Sequence, residues 1–288
     1  QTIKDLRVIS RTSTEQYRNQ SKSLPEIAKE LGVNYIVEGS GQKYGNTFRL
    51  RVQLIKASEE GHLWAESYEQ EIRDVKDIFR IQSQIAQSIA SELKAAITPQ
   101  EKLLIEKIPT SNLTAYDAYL QGQFYWRKLT KIDLETAMIY FEKAKEIDPG
   151  YALAYAGICD VWIGFQQMGA VRTSEAGPKI EEAIMKALEL DSNRAEVQYT
   201  LALMKTWTMW DWKAGESAFK KAIAINPNHA GAHAYYSHLL NMLGRPEEAM
   251  KQIELALKLA PENSLIKALY GIDLFWVRKY DDAVKAFQ

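Results

Sequence analysis

The chain has 288 residues and nearly balanced charge, 36 Lys and Arg against 37 Asp and Glu for a net −1, which argues against a surface built to neutralise phosphate backbones or anionic lipid. Hydrophobic residues make up 46% and charged residues 25%, average globular values that exclude disordered, collagen-like and coiled-coil chains. The lone Cys159 excludes an internal disulfide framework and a cysteine-based structural zinc site. The most apolar stretch, Ile158 to Val171, is broken by Asp160, Gln166 and Gln167, so no run of about 18 apolar residues offers a membrane span.

The front part mixes strand and helix signals. Leu6 to Ser10 reads as a strand, and Ser23-Leu24-Pro25-Glu26 as a capped helix start whose helix ends at Gly32. Tyr35 to Lys43, a turn at Tyr44-Gly45-Asn46-Thr47 and Phe48 to Ala57 predict a hairpin. In its second strand Phe48, Leu50, Val52 and Leu54 alternate with Arg49, Arg51 and Gln53, so one face is buried and the other wet. A third strand, His62 to Ile72, follows the Glu59-Glu60-Gly61 turn. Ile78, Ile81, Ile85, Ile89 and Leu93 then fall on one stripe of a long amphipathic helix. Thr98-Pro99-Gln100-Glu101 caps a short connecting helix that Pro109 to Asn112 ends.

The back half repeats one phrase: YFEKAKEIDPGYA (Tyr140 to Ala152), IMKALELDSNRA (Ile184 to Ala195), FKKAIAINPNHA (Phe219 to Ala230) and IELALKLAPENS (Ile253 to Ser264). Its closing positions Pro149, Ser192, Pro227 and Pro261 are spaced 43, 35 and 34 residues. A period of about 34 resembles the tetratricopeptide helix-turn-helix repeat. The resemblance extends to small residues where the two helices of a repeat cross (Gly122, Gly157, Ala202, Ser237, Gly271) and early on the second helix (Ala137, Gly215, Ala249, Ala283). It also covers an alanine later on that helix (Ala144, Ala187, Ala222, Ala256), with Phe141, Phe219, Ile253 and Phe287 filling the space between layers. Extra residues at Leu129 to Asp133, and about eleven more that include Gly169 to Val171 and Gly177-Pro178, are expected as loops between helices.

The front region resembles the amino-terminal domain of TolB in the version bacteria fuse to tetratricopeptide repeats. The residues carrying this are LRVISRTS (Leu6 to Ser13), SLPEIAKELGVNYIVEGS (Ser23 to Ser40), RLRVQLI (Arg49 to Ile55) and GHLWAESYEQEI (Gly61 to Ile72). Together the two resemblances imply an α+β N-terminal domain at 1–96, a small mixed sheet with helices. A linker with a short helix follows at 97–112, then an all-α tetratricopeptide superhelix at 113–288 with four complete repeats and one truncated repeat. The family has a strand and helix before the point where this chain begins, which implies an open sheet edge at Leu6 to Ser10 that favours self-association. Gln1 in place of Met and an ending at Gln288 within a helical pattern read as a piece of a longer protein. Cytoplasmic or periplasmic placement then follows from the upstream part.

Signals for chemistry are weak. Gly39-Ser40-Gly41 with Gly45 precede another strand rather than a helix, so they read as hairpin glycines and not as a phosphate cradle. His229 and His233 stand four apart with no carboxylate to complete a metal set, and read as surface and groove histidines. Cys159 reads as a small buried hydrophobe. Arg49, Arg51, Lys43 and Lys56 form the wet side of the hairpin and lack the interleaved aromatics of a nucleic-acid platform. No Ser-His-Asp, HExxH or nucleophile-elbow pattern occurs. No enzyme, metal or cofactor is therefore expected, and no nucleic-acid partner.

Six of the seven tryptophans lie in the repeats. Trp210 and Trp212 are expected to fill the turn of the third repeat. In the resembled family the first helix of each pair lines a concave groove, at positions 2, 5, 9, 12 and 13 when the small crossing residue is position 8. That implies partner binding by Tyr116, Tyr119, Gln123, Trp126 and Arg127, by Tyr151 and Trp162, by Tyr199 and Trp207, and by His238 and Asn241. Tyr119 and Gln123 stand where family members that clamp terminal carboxylates have Lys and Asn. The function implied is a protein-interaction module of a bacterial signalling or regulatory protein. Its rivals are a small-ligand sensor coupled to an upstream DNA-binding, cyclase or kinase effector, and an enzyme sited on the long insertion.

Overall fold

The computed structural model describes residues 3–45, 47–59 and 61–287. The chain forms two compact units, Gln1–Ile108 with Ile253–Gln288, and Pro109–Gln252.

In the first unit, Leu6 to Ser10 is not the strand its sequence suggests. Its backbone is committed elsewhere: Ser10 caps α1 (Arg11–Glu15) by accepting from Ser13 N, and Ser10 N donates to Leu259 O at 2.7 Å. Ser13 Oγ in turn accepts from Glu262 N at 3.1 Å, so this segment ties down the end of a late helix. Helix α2 (Leu24–Leu31) has the expected capping box, Ser23 with Glu26, and stops at Gly32, whose φ of 60° a side-chain-bearing residue adopts only with strain. Strands β1 (Tyr35–Tyr44), β2 (Thr47–Lys56) and β3 (Gly61–Glu71) pair antiparallel in the order β1-β2-β3. The turn residues Asn46 and Glu60 lie outside the described residues. Along β2 the alternation holds, with Val52 and Leu54 buried, while on the wet face Arg49 pairs with Glu69 of β3 at 2.7 Å. Helix α3 (Val75–Glu92) is capped by Asp74, and α4 (Pro99–Glu106) by the Thr98–Glu101 box.

The second unit is helical: α5 (Leu113–Trp126), α6 (Lys131–Ile147), α7 (Ala152–Gln167), α8 (Thr173–Asp191) and α9 (Ala195–Leu203), which runs on into a π-helical turn at Met204–Thr208. Then come α10 (Trp212–Ile225), α11 (Ala230–Met242) and α12 (Pro246–Leu259), whose residues from Ile253 on belong to the first unit, as do α13 (Ser264–Trp276) and α14 (Tyr280–Phe287). Packing joins α5 with α6, α7 with α8, α9 with α10 and α13 with α14.

Small residues make these pairings. A Cβ added at Gly122 or at Gly157 would lie 2.6 Å from the Phe141 ring, so both helices reach that ring only because they carry glycine. Phe141, Phe219 and Ile253 are wholly buried, as are Ala137, Ala144, Ala187, Ala222, Ala249 and Ala256; burying a phenylalanine or isoleucine contributes about 1.5–3 kcal/mol each. Phe287 remains 57% exposed, although its ring sits against Gly271. Three expectations need correction. Helix α6 begins at Lys131 with Thr130 as its cap, so of the expected Leu129 to Asp133 loop only Leu129 and Thr130 connect the helices. Gly177 and Pro178 lie inside α8 and not in a loop, so most of the long insertion lengthens that helix and only Met168 to Arg172 connects. Trp210 is 64% exposed at a positive φ of 57°, and Trp212 alone packs against the core, because Asp211 starts α10 directly after the turn.

Candidate functional site

The first helices of successive pairs pack side by side, α5 on α7, α7 on α9 and α9 on α11, and present a ladder of aromatic residues. Tyr119 and Tyr151 form one group, with ring centroids 5.3 Å apart and Tyr119 also 5.7 Å from Phe141. Tyr199, Trp207 and His238 form a second, joined by Tyr235 and His229. Tyr199 lies 4.7 Å from His229 and 6.1 Å from Tyr235, and Trp207 lies 5.3 Å from Tyr235 and stacks on His238 at 5.9 Å. Offset and edge-to-face contacts of this kind hold the rings in fixed orientations.

The remaining predicted residues are dispersed. Tyr116, Gln123 and Trp126 are half-buried and Arg127 is exposed at the end of α5. Trp162 packs towards α8, with Lys179 Nζ 3.9 Å over its ring and Phe165 at 5.8 Å. Tyr151, Tyr199 and Asn241 are buried, so they support the ladder from within. Several polar atoms along it are buried with no hydrogen-bond partner among the described residues: Trp126 Nε1, Tyr151 Oη and His238 Nδ1. Such atoms cost free energy until something pairs with them.

The π turn sets the position of Trp207. Met209 N donates to Met204 O, an i→i+5 bond that admits one extra residue into the helical ladder, and π turns of this kind concentrate at functional sites. Thr208 Oγ1 is anchored to Gln166 Oε1 on α7 at 2.9 Å, and Thr206 sits so close to Gly215 that a Cβ there would collide with its hydroxyl. Nothing in Met204-Lys205-Thr206-Trp207-Thr208 announces this turn.

The histidines differ from the surface reading. His233 is buried, its ring nitrogens engaged by Gln252 Oε1 at 2.6 Å and Pro227 O at 2.9 Å. His229 caps α11, accepting from Ala232 N at 3.0 Å, and burial holds its pKa down despite the opposing charge of Glu196. Burial likewise lowers His238. The Cys159 thiol is pushed up by burial and then by the charge of Asp160. No group of three or more His, Cys, Asp or Glu side chains is arranged to hold a metal ion among the described residues, and no helix there is long and apolar enough to cross a membrane.

Sequence reasoning treated Asp160 only as a break in an apolar run. It stands on α7 with its Oδ1 accepting from Thr200 Oγ1 of α9 at 2.7 Å. Burial pushes its carboxyl up to about 7, opposed by that hydrogen bond. A separate cleft of about 1290 Å³ opens in the first unit between Leu6 to Ile9, α2, strands β1 and β2, and Ile89 and Leu93 at the end of α3.

Residues 211–271 match the model of the family described as Tetratricopeptide repeat, and the run of helical pairs, with small crossing residues and a roughly 34-residue period, is consistent with a tetratricopeptide superhelix. A protein named as adenylate cyclase 3 of Rhizobium meliloti is 28% identical over 206 residues, 71% of this chain and 35% of that protein. The transcriptional regulator HilA of Salmonella typhimurium is 26% identical over 287 residues, 97% of this chain and 49% of that protein. The chain thus spans half or less of the length of these curated relatives. Among solved structures, that of PilW, titled a type IV pilus biogenesis factor, aligns with a TM-score of 0.47 at 17% identity, covering 62% of this chain and 80% of that one.

Proposed function

We propose that this chain is a non-enzymatic protein-interaction module, in which the ladder on α5, α7, α9 and α11 holds an extended peptide or partner segment bearing apolar or aromatic side chains. The observation that carries the reading is the second aromatic group, where Trp207, Tyr235 and His238 are interlocked beside a π turn. Trp, Tyr and Arg are the residue types that most often dominate interface energies, and rigid rings offer large contact area at low entropic cost. A terminal-carboxylate clamp is disfavoured, since Tyr119 and Gln123 supply no cation where such a clamp requires one. Two relatives named for unrelated outputs, a cyclase and a transcriptional regulator, are consistent with a shared interaction segment inside larger signalling proteins. On this reading the first unit is a TolB-like accessory domain. Photo-crosslinking of a bound peptide followed by mass spectrometry tests it: adducts on Trp207, Tyr235 or Gln123 are expected, and adducts confined to α8, α10 or the first unit would refute it.

The cleft of about 1290 Å³ beside β1 favours a second reading, in which the first unit senses a small molecule. A thermal-shift screen against metabolites would favour that reading if a saturable stabilisation depended on Ile36 and Ile89.

A further inference from the structure

We infer that Asp160 is the acidic anchor for a basic side chain, arginine or lysine, of the peptide held along α7 and α9. The inference rests on the peptide-groove reading and adds the chemistry of one partner residue.

Carboxylates taken out of water are normally paired with a cation. Asp160 is only partly exposed, yet among the described residues its hydrogen bond is to the neutral hydroxyl of Thr200 and no Lys or Arg forms an ion pair with it. Arg194, whose charge acts on Tyr119 and Tyr151, is held by Asp191, its Nε 3.0 Å from Asp191 Oδ2; its buried Nη2 has no hydrogen-bond partner among the described residues. Within reach of its charge are rings from three helices, Tyr119 on α5, Tyr199 on α9 and Tyr235 on α11: their phenols are raised first by burial and further by Asp160, with Glu196 of α9 acting more strongly than Asp160 on Tyr119. Aromatic faces attract cations, and they do so more strongly when the site is desolvated. A carboxylate without a cation, set among tyrosines, is complementary to an ammonium or guanidinium group and repels an acidic one.

The same burial makes the anchor pH-sensitive. Burial brings the Asp160 carboxyl up to about 7, so the charged form that a cation needs is gained as pH rises through neutrality. The other groups of this cluster are Tyr119, Cys159, Tyr199 and Tyr235, all raised by burial, His229, held down by burial beside Tyr199, and the charged Glu196 and Arg194. The phenols and the thiol remain uncharged over that range.

A library of short random-sequence peptides, N-acetylated and C-amidated, is screened against the intact chain and against Asp160→Asn. Asparagine still accepts the Thr200 hydrogen bond, and circular dichroism verifies the fold. The wild type is expected to enrich Arg or Lys at one position, with Asp160→Asn losing that enrichment and binding the selected basic peptides about tenfold more weakly or worse. Wild-type affinity for those peptides should also rise from pH 6 to pH 8, a readout that needs no variant. Peptides bound without basic enrichment, enrichment unchanged in Asp160→Asn, or a flat pH profile would overturn the inference and leave the groove reading standing. Failure to select any peptide would overturn both.

Discussion

Asp160→Asn should make the protein more stable while making it a poorer receptor. The carboxyl has an ordinary value of 3.8 and is held near 7 in the fold by burial, with the Thr200 hydrogen bond opposing. Between those values the native state keeps a proton that the unfolded chain has released, so stability falls as pH rises from about 4 to about 7 and is level above. A rise of about three units corresponds to roughly 4 kcal/mol at 1.36 kcal/mol per unit. Partial exposure of the residue reduces this to about 2–3 kcal/mol. Asparagine keeps the hydroxyl as donor and carries no charge, so the variant should lack this dependence and exceed the wild type by about 2 kcal/mol at pH 8. Urea denaturation followed by far-ultraviolet circular dichroism, repeated from pH 4.5 to 8, reads both quantities. Parallel profiles for the two proteins, or a variant less stable at pH 8, would refute the argument that burial outweighs the hydrogen bond.

Gly157→Ala puts a methyl 2.6 Å from a ring that Gly122 also confines. Overpacking should cost about 2–3 kcal/mol against a helix-propensity gain near 1, a net loss measurable as a lowered denaturation midpoint, and Phe141→Leu in the same chain should recover part of it. Glu216 is drawn up by partial burial but held at about 2 by hydrogen bonds from Lys220, Arg245 and Tyr236. Its contribution is therefore present above pH 4.5 and lost as pH falls towards 2, and Glu216→Gln should flatten that acid limb and cost about 1–2 kcal/mol at neutral pH. The outer edge of β1, unpaired by any described strand, should support self-association. Sedimentation at high concentration should show a dimer that Val37→Lys abolishes, and a strict monomer would count against it.

What could be read from the sequence follows from periodicity. The repeats were legible because a small residue must recur wherever two helices cross, and Gly122, Gly157, Ala202 and Ser237 are all buried at those places. The caps at Ser23 and Thr98 were legible because the box is local, its two partners three positions apart in sequence. Leu6 to Ser10 misled because its apolar spacing says nothing of partners, and Ser10 N is taken by Leu259 O, far along the chain. Gly177-Pro178 misled for the opposite reason, since helix breakers near a helix start are overridden when Ala176, Ile180 and Ile184 still find a core. Of the site, the family spacing brought Tyr199, Trp207 and His238 to one place. Asp160, Tyr235 and the π turn depend on the contacts of α9 with α7 and α11, which no single helical phrase encodes.

The measurement that bears most directly on the groove is the affinity of a library-selected peptide for a Trp126→Ala, Trp207→Ala double variant, by isothermal titration alongside a circular dichroism check of helical content. Central, desolvated aromatic residues contribute about 2 kcal/mol or more each. The account predicts at least a 30-fold loss of affinity in a variant of unchanged helicity. Equal affinity in a correctly folded variant would contradict it and assign both rings to the core.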